Sequence, residues 1–162
     1  MALIDYFLKI AGVDGESADD RHKGEIELES FSWGETQSGS VAPGGGAGAG
    51  RVTAQDFQVV KRVDKSSPML MISCATGQHF KSAVLTARKA GGSQQDYFKI
   101  TMEDVLISSY QAGGSAHSDV LPVDQVSFNF SKLEMSYKEQ KPDGTLGTEV
   151  KQKYDFAANR KV

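Results

Sequence analysis

The sequence predicts a mainly β fold: an antiparallel β-barrel, two packed sheets, with one short flanking α-helix. Two observations predict it. Most of the chain runs in alternating apolar and polar residues, the period of a strand with one buried face. The runs at 25–33, 96–110 and 122–138 change parity midway, as strands do when they bend between sheets or turn a barrel corner. A third feature stands against this background: residues 66–77 read as helix. With 162 residues, a single domain over 1–162 with a substantial core is expected.

Residues 2–13 form the first expected strand, with Phe7 and Leu8 at its centre. Gly12 to Ser17 is turn chemistry, and 18–23 is a charged loop. In 25–33, Ile26 and Leu28 alternate with Glu25, Glu27 and Glu29, and the next large apolar residues are Phe31 and Trp33. A β-bulge near Glu29 and Ser30 would bring all four to one face and leave Ser32 on the other. Residues 37–50 contain no side chain larger than Val41 apart from Gln37, so they build no core of their own. They exceed an ordinary hairpin loop, and such loops in compact domains tend to carry function. Residues 51–62 are the next strand, with Phe57 and Val59 on one face.

In the helical stretch, Ser67 is the expected N-cap, Pro68 suits the first helical position and Gly77 is the stop. Met69, Leu70, Met71, Ile72, Cys74 and Ala75 make it apolar on more than one face. A helix on a monomer's surface has a polar face, and this one lacks it. One side is expected to cover the barrel and the other to meet a neighbouring subunit, with Leu70, Met71 and Cys74 as interface candidates. The sequence leaves open whether Leu70 or Met71 faces outward. Residues 79–89 form a strand semi-apolar on both faces. The strand at 96–110 steps from Phe98, Ile100 and Met102 to Val105 and Ile107. The strand at 122–138 steps from Val126, Phe128 and Phe130 to Leu133, Met135 and Tyr137. Lys141-Pro142-Asp143-Gly144-Thr145 is a hairpin turn, and 148–156 pairs back.

The net charge of -3 gives no electrostatic case for nucleic acid or an anionic membrane surface. Cys74 is the one cysteine, which excludes an internal disulfide and fits a reducing compartment. Asp5 interrupts an N-terminal segment without a basic leader, so no secretory signal peptide and no membrane insertion are expected. Gly45 and Gly50 have the spacing of a phosphate-binding loop, but Arg51 and Val52 follow where that motif needs Lys and then Ser or Thr. His22, His79 and His117 lack paired-ligand spacing, and one cysteine completes no zinc pattern. Cys74 with His79 would be a nucleophilic pair, but a cysteine in an apolar helix is ordinarily an inert small hydrophobe. Asp14, Glu16, Asp19 and Asp20 lack EF-hand spacing, and Glu103 and Asp104 are strand neighbours that point apart. No catalytic residue, metal or cofactor is expected. Exposed strand edges and the two-faced helix argue for an oligomer.

Asp5-Tyr6-Phe7-Leu8-Lys9-Ile10, Gly15-Glu16-Ser17, His22-Lys23-Gly24-Glu25-Ile26-Glu27 and Phe31-Ser32-Trp33-Gly34 resemble the opening of the haemolysin-coregulated proteins (Hcp). The resemblance continues through the Gly-rich loop, Gln55-Asp56-Phe57, Lys65-Ser66-Ser67-Pro68 and Leu85-Thr86-Ala87-Arg88-Lys89-Ala90-Gly91 to the C-terminal hairpin. It covers essentially the whole chain. It implies a tube subunit of the bacterial type VI secretion system that forms hexameric rings. The rings stack into a hollow tube, capped by a spike protein and driven out by a contractile sheath. It also implies export without a signal peptide, and effector proteins carried in the ring lumen. Within that picture Ser32 is the candidate lumen residue, and Ser40, Val41, Pro43, Gly44, Gly45 and Gly46 are candidates for ring-to-ring contact. The rival expectation is a soluble β-barrel binding module or hydrolase with the Gly-rich loop as a lid.

Overall fold

A computed structural model of the chain describes residues 4–39, 50–89 and 94–162. The ring-stacking candidates Ser40, Val41, Pro43, Gly44, Gly45 and Gly46 lie outside the described residues. The described strands are β1 (Ile4–Ile10), β2 (Ile26–Leu28), β3 (Ser30–Ser32), β4 (Glu35–Gln37), β5 (Val52–Ala54) and β6 (Phe57–Arg62). Helix α1 (Ser67–Thr76) follows, then β7 (His79–Lys89), β8 (Asp96–Gly113), β9 (Val123–Asn129), β10 (Lys132–Gln140), β11 (Leu146–Asp155) and β12 (Arg160–Lys161). All the ladders are antiparallel.

Strand β8 is the spine. It pairs with β7 along one edge. Along the other, it pairs with β10 over Phe98 to Glu103 and with β9 over Leu106 to Gly113. The changeover lies at Asp104, whose φ of 54° is left-handed. That residue turns Met102 and Val105 to the same buried side, which is the parity slip in the sequence. From β8 the sheet runs through β7 and β1 to β2, and through β9 and β6 to β3. β2 and β3 flank Glu29, whose N–H donates to the Val60 carbonyl at 2.8 Å. The barrel is thus joined at this corner by the chain itself, and no ladder between β2 and β3 closes it.

Three expected strands are interrupted where parity or polarity changes. Residues 25–33 break at Glu29 rather than bulging within one strand, because β2 belongs to β1 and β3 to β6. Residues 51–62 break at Gln55 and Asp56; the Asp56 carboxylate accepts from Ser108 Oγ (2.6 Å) and Asn129 Nδ2 (3.1 Å), partners outside a ladder. Residues 122–138 break at Phe130 and Ser131, where the Ser131 N–H turns to the Glu103 carbonyl. The core is filled by Leu8, Ile26, Phe57, Val59, Leu85, Ile100, Met102, Val126 and Phe128, with Phe31 and Trp33 packed at its margin. Strand β12 was not anticipated; it pairs Tyr154 with Lys161 and Asp155 with Arg160.

Candidate assembly surfaces

Ser32 lies exposed on β3, opposite in parity to Phe31. Register places it beside Gln58, Gln58 beside Ser127, and Ser127 beside Ser109. The next row is Ser30, Val60, Gln125 and Gln111. The reverse side of the same strands carries Phe57, Val59, Val126 and Phe128, all buried. The outcome is a four-strand face of serine and glutamine around Val60, with an open groove of about 380 Å³. These side chains carry hydrogen-bond donors and acceptors but no charge. Sequence reasoning placed Ser32 opposite Phe31, as it lies, and did not name the glutamines and serines beside it. Alternation along each strand gives their side, whereas their neighbourhood depends on the β3–β6–β9–β8 order.

Helix α1 begins one residue earlier than the sequence suggests. Ser66 occupies the N-cap and makes no side-chain cap bond, while Ser67 and Pro68 are already helical. Ser67 is not the cap because its hydroxyl is engaged elsewhere. It donates to Asp124 Oδ2 at 2.6 Å and accepts from Lys61 Nζ at 3.0 Å and from the Asp64 N–H at 3.0 Å. Lys61 and Asp124 are fully buried, 3.1 Å apart, and Tyr110 donates to the same Asp124 oxygen at 3.0 Å. The helix entry is therefore tied to β6, β8 and β9. Burial alone would raise the Asp64 carboxyl, but bonds from the Ser66 hydroxyl and the Lys61 ammonium outweigh it and hold Asp64 below its usual range. Burial, then the bond to Asp124, pushes the Tyr110 hydroxyl up. Gly77 ends the helix in a left-handed conformation with φ 68°, as its lack of Cβ allows.

The faces of α1 are inverted relative to an ordinary surface helix. Its buried residues are Ser67, Leu70 and Ser73. Met69, Met71 and Ile72 are 45%, 49% and 47% exposed. Leu70 is a correction to the interface candidates: it is a core residue of this chain, 1% exposed, and has no side chain to offer a neighbour. Met71 faces outward. Cys74 is half-buried and packs on the core. The 3.6-residue period puts Leu70 and Met71 about 100° apart, so one faces away when the other faces in. Met69 and Ile72 share the outward side, a grouping that the sequence reading left unresolved.

Among the described residues no group of three or more His, Cys, Asp and Glu could hold a metal ion. His79 Nδ1 lies 3.1 Å from Asp104 Oδ1, both groups exposed. His22 is buried, with Glu25 at 2.9 Å on one ring nitrogen, Asp96 at 3.0 Å on the other, and its ring stacked on Phe7. These contacts tie the 14–25 loop to β1 and β8. No helix is long and apolar enough to cross a membrane among the described residues.

The profile of the family described as "Type VI secretion system effector, Hcp" matches residues 7–137. Protein hcp1 of Pseudomonas aeruginosa is 45% identical over 158 residues, which cover 96% of this chain and 97% of that protein. The crystal structure of Hcp1 from Salmonella typhimurium superposes with a TM-score of 0.84 at 33% identity, covering 99% of both chains. A structure described as that of a type six secretion system protein superposes with a TM-score of 0.93 at 27% identity, covering 98% of this chain and 99% of that one. With a family profile spanning most of its length and relatives alike from end to end, the chain belongs to the Hcp family of type VI secretion proteins.

Proposed function

We propose that this Hcp protein is a subunit of the type VI inner tube. It assembles into hexameric rings that stack into a hollow tube under a spike protein and within a contractile sheath. It leaves the bacterial cytoplasm as part of that tube, and carries effector proteins in the ring lumen. The observation that carries the reading is the outward apolar side of α1, Met69, Met71 and Ile72, held in place by Leu70 in the core and by the Lys61–Asp124–Ser67 network. A helix anchored so firmly has no freedom to turn its methionines inward, so another surface must cover them.

The uncharged Ser32 face suits the lumen. A channel that must both hold and release folded cargo gains from a wall with many weak hydrogen-bonding groups and no fixed charge. Such bonds contribute about 0.5–1.5 kcal/mol each and are made with water when cargo leaves. Negative-stain electron microscopy of the purified protein tests the reading. Rings with a central hole and six-fold views are expected; featureless particles of monomer mass would overturn it.

A further inference from the structure

Strand β11 lies near the end of the main sheet, and most of its outer edge is bare. Its inner edge pairs with β10 in unbroken register from Lys132 with Asp155 to Lys138 with Glu149. On the outer edge, β12 covers only Tyr154 and Asp155, and the Val162 N–H donates to the Lys153 carbonyl at 3.2 Å. Thr148, Glu149, Val150, Lys151 and Gln152 are all exposed, and no strand among the described residues pairs with them on that side. The Lys153 carbonyl points outward, so alternation along a regular strand turns the backbone N–H and C=O of Lys151 and Glu149 outward as well. An edge with free main-chain donors and acceptors is a template for another strand.

We propose that β11 pairs antiparallel with β11 of a second copy, about a two-fold axis at Val150. The charge pattern of the strand specifies this register. Val150 faces Val150 of the second copy, Glu149 faces its Lys151, and Lys151 faces its Glu149. Glu149 and Lys151 are the residues with outward backbone groups, so both Glu149–Lys151 pairs exchange main-chain hydrogen bonds, while Val150 takes the close, non-hydrogen-bonded position. An axis at Glu149, Lys151 or Gln152 instead would set like charges directly opposite each other, which is destabilising.

The side chains agree with the pairing. Ser136 Oγ donates to Glu149 Oε1 at 2.6 Å, which fixes the carboxylate on the face that it shares with Lys151. Lysines commonly guard an open edge, but Lys153 is drawn to Glu103 at 2.7 Å, and Lys151 finds its counter-charge in the second copy. On the other face Val150 pairs with Tyr137, and the two are 63% and 48% exposed. Across the axis this apolar row continues into the same two residues of the second copy, and aromatic and β-branched neighbours on adjacent strands stabilise a sheet. The contact is isologous and closes at two copies, so it is distinct from the heterologous contact that builds a ring. It joins free subunits, or copies that belong to different rings.

The test oxidises single-cysteine variants in a Cys74→Ser background with copper phenanthroline. Val150→Cys places its thiols in the close pair, within disulfide reach. Gln152→Cys places them about four residues apart along the two strands, roughly 13 Å and out of reach. Denaturing gels should show a covalent dimer for Val150→Cys and none for Gln152→Cys. Equal yields from the two, or no dimer from Val150→Cys, would overturn the proposal. Charge reversal provides a second measurement. Added to Val150→Cys, either Glu149→Lys or Lys151→Glu sets like charges opposite in both pairs, so each alone should crosslink about tenfold less. An equimolar mixture of the two restores opposite charges and should recover the yield as mixed dimers, identified by mass. Undiminished crosslinking by the single reversals, or a mixture that stays uncrosslinked, would overturn the proposal. All the substituted β11 positions are exposed, so the variants should keep the fold, and none of these readouts depends on whether rings form.

Discussion

Asp19 holds together a loop that has little apolar surface of its own. Its carboxylate accepts from the Arg88 guanidinium at 2.8 Å and from the backbone N–H groups of Arg21 and His22. Chiefly through the Arg88 bond, its pKa falls from 3.8 to about 2. A carboxylate with a depressed folded pKa contributes stability that is fully present above the unfolded value and is lost as pH falls through the folded one. The window here is therefore pH 4 down to about 2. Urea unfolding followed by circular dichroism should show the midpoint falling across that window, and Asp19→Asn should flatten this part of the curve. An unchanged slope in the variant would remove Asp19 as the cause. Ser32 gives the second prediction at this scale. It is exposed and no core atom depends on it, so Ser32→Gln should leave assembly intact while crowding the bore. Retention of a co-expressed effector should fall several-fold; unaltered retention would place Ser32 away from cargo.

Helix α1 is held by two kinds of contact, a buried polar network at its entry and the core packing of Leu70, and both predict failures at the level of the element. Lys61 neutralises the half-buried Asp64 and the buried Asp124, so Lys61→Met would leave the Asp124 carboxylate buried and unpaired and cost about 3–5 kcal/mol. Adding Asp124→Asn should recover part of the loss, and a double-mutant cycle by chemical denaturation measures the coupling. Leu70→Ala should cost about 2–5 kcal/mol as a core truncation, whereas Met71→Glu is a surface change within about ±0.5 kcal/mol. Light scattering and thermal melts should find Met71→Glu folded and disassembled. A Met71→Glu protein that still forms rings would contradict the role given to this face. Much of this element was legible: Pro68 and Gly77 mark its ends, and its missing polar face is visible in the sequence. The side that turned outward was not, because Ser67 faces inward for reasons that lie on other elements. Ser67 is drawn in by Lys61 and Asp124, and nothing near it in sequence announces Asp124. The strand breaks were legible as changes of parity, but a parity change looks the same whether a strand turns within a continuous ladder, as at Asp104, or passes to another partner strand, as at Glu29.

At the scale of the whole molecule, lateral and axial contacts are separable in sequence. The lateral surface proposed here, the outward side of α1, belongs to a regular element fixed by the core. The axial candidates, Ser40, Val41, Pro43, Gly44, Gly45 and Gly46, belong to the connection between β4 and β5. Those two strands pair with each other through Glu35 with Ala54, Thr36 with Thr53 and Gln37 with Val52, and form a sheet separate from the barrel. Hairpins need only about 2–5 loop residues, so removing residues 44–48 from the 38–51 connection leaves ample chain to join β4 to β5. The shortened protein should therefore keep its fold and its rings. It should lose stacking, because the deleted residues are those proposed to fit the next ring. Ordering a Gly-rich loop costs about 1–2 kcal/mol per residue in backbone entropy, so axial contact should be weak in free rings and need a template to begin. Electron microscopy of the deletion variant beside the unmodified protein, each with and without the spike protein, decides the matter. Single rings under every condition are expected for the variant; tubes of ordinary length would show that stacking runs through another surface.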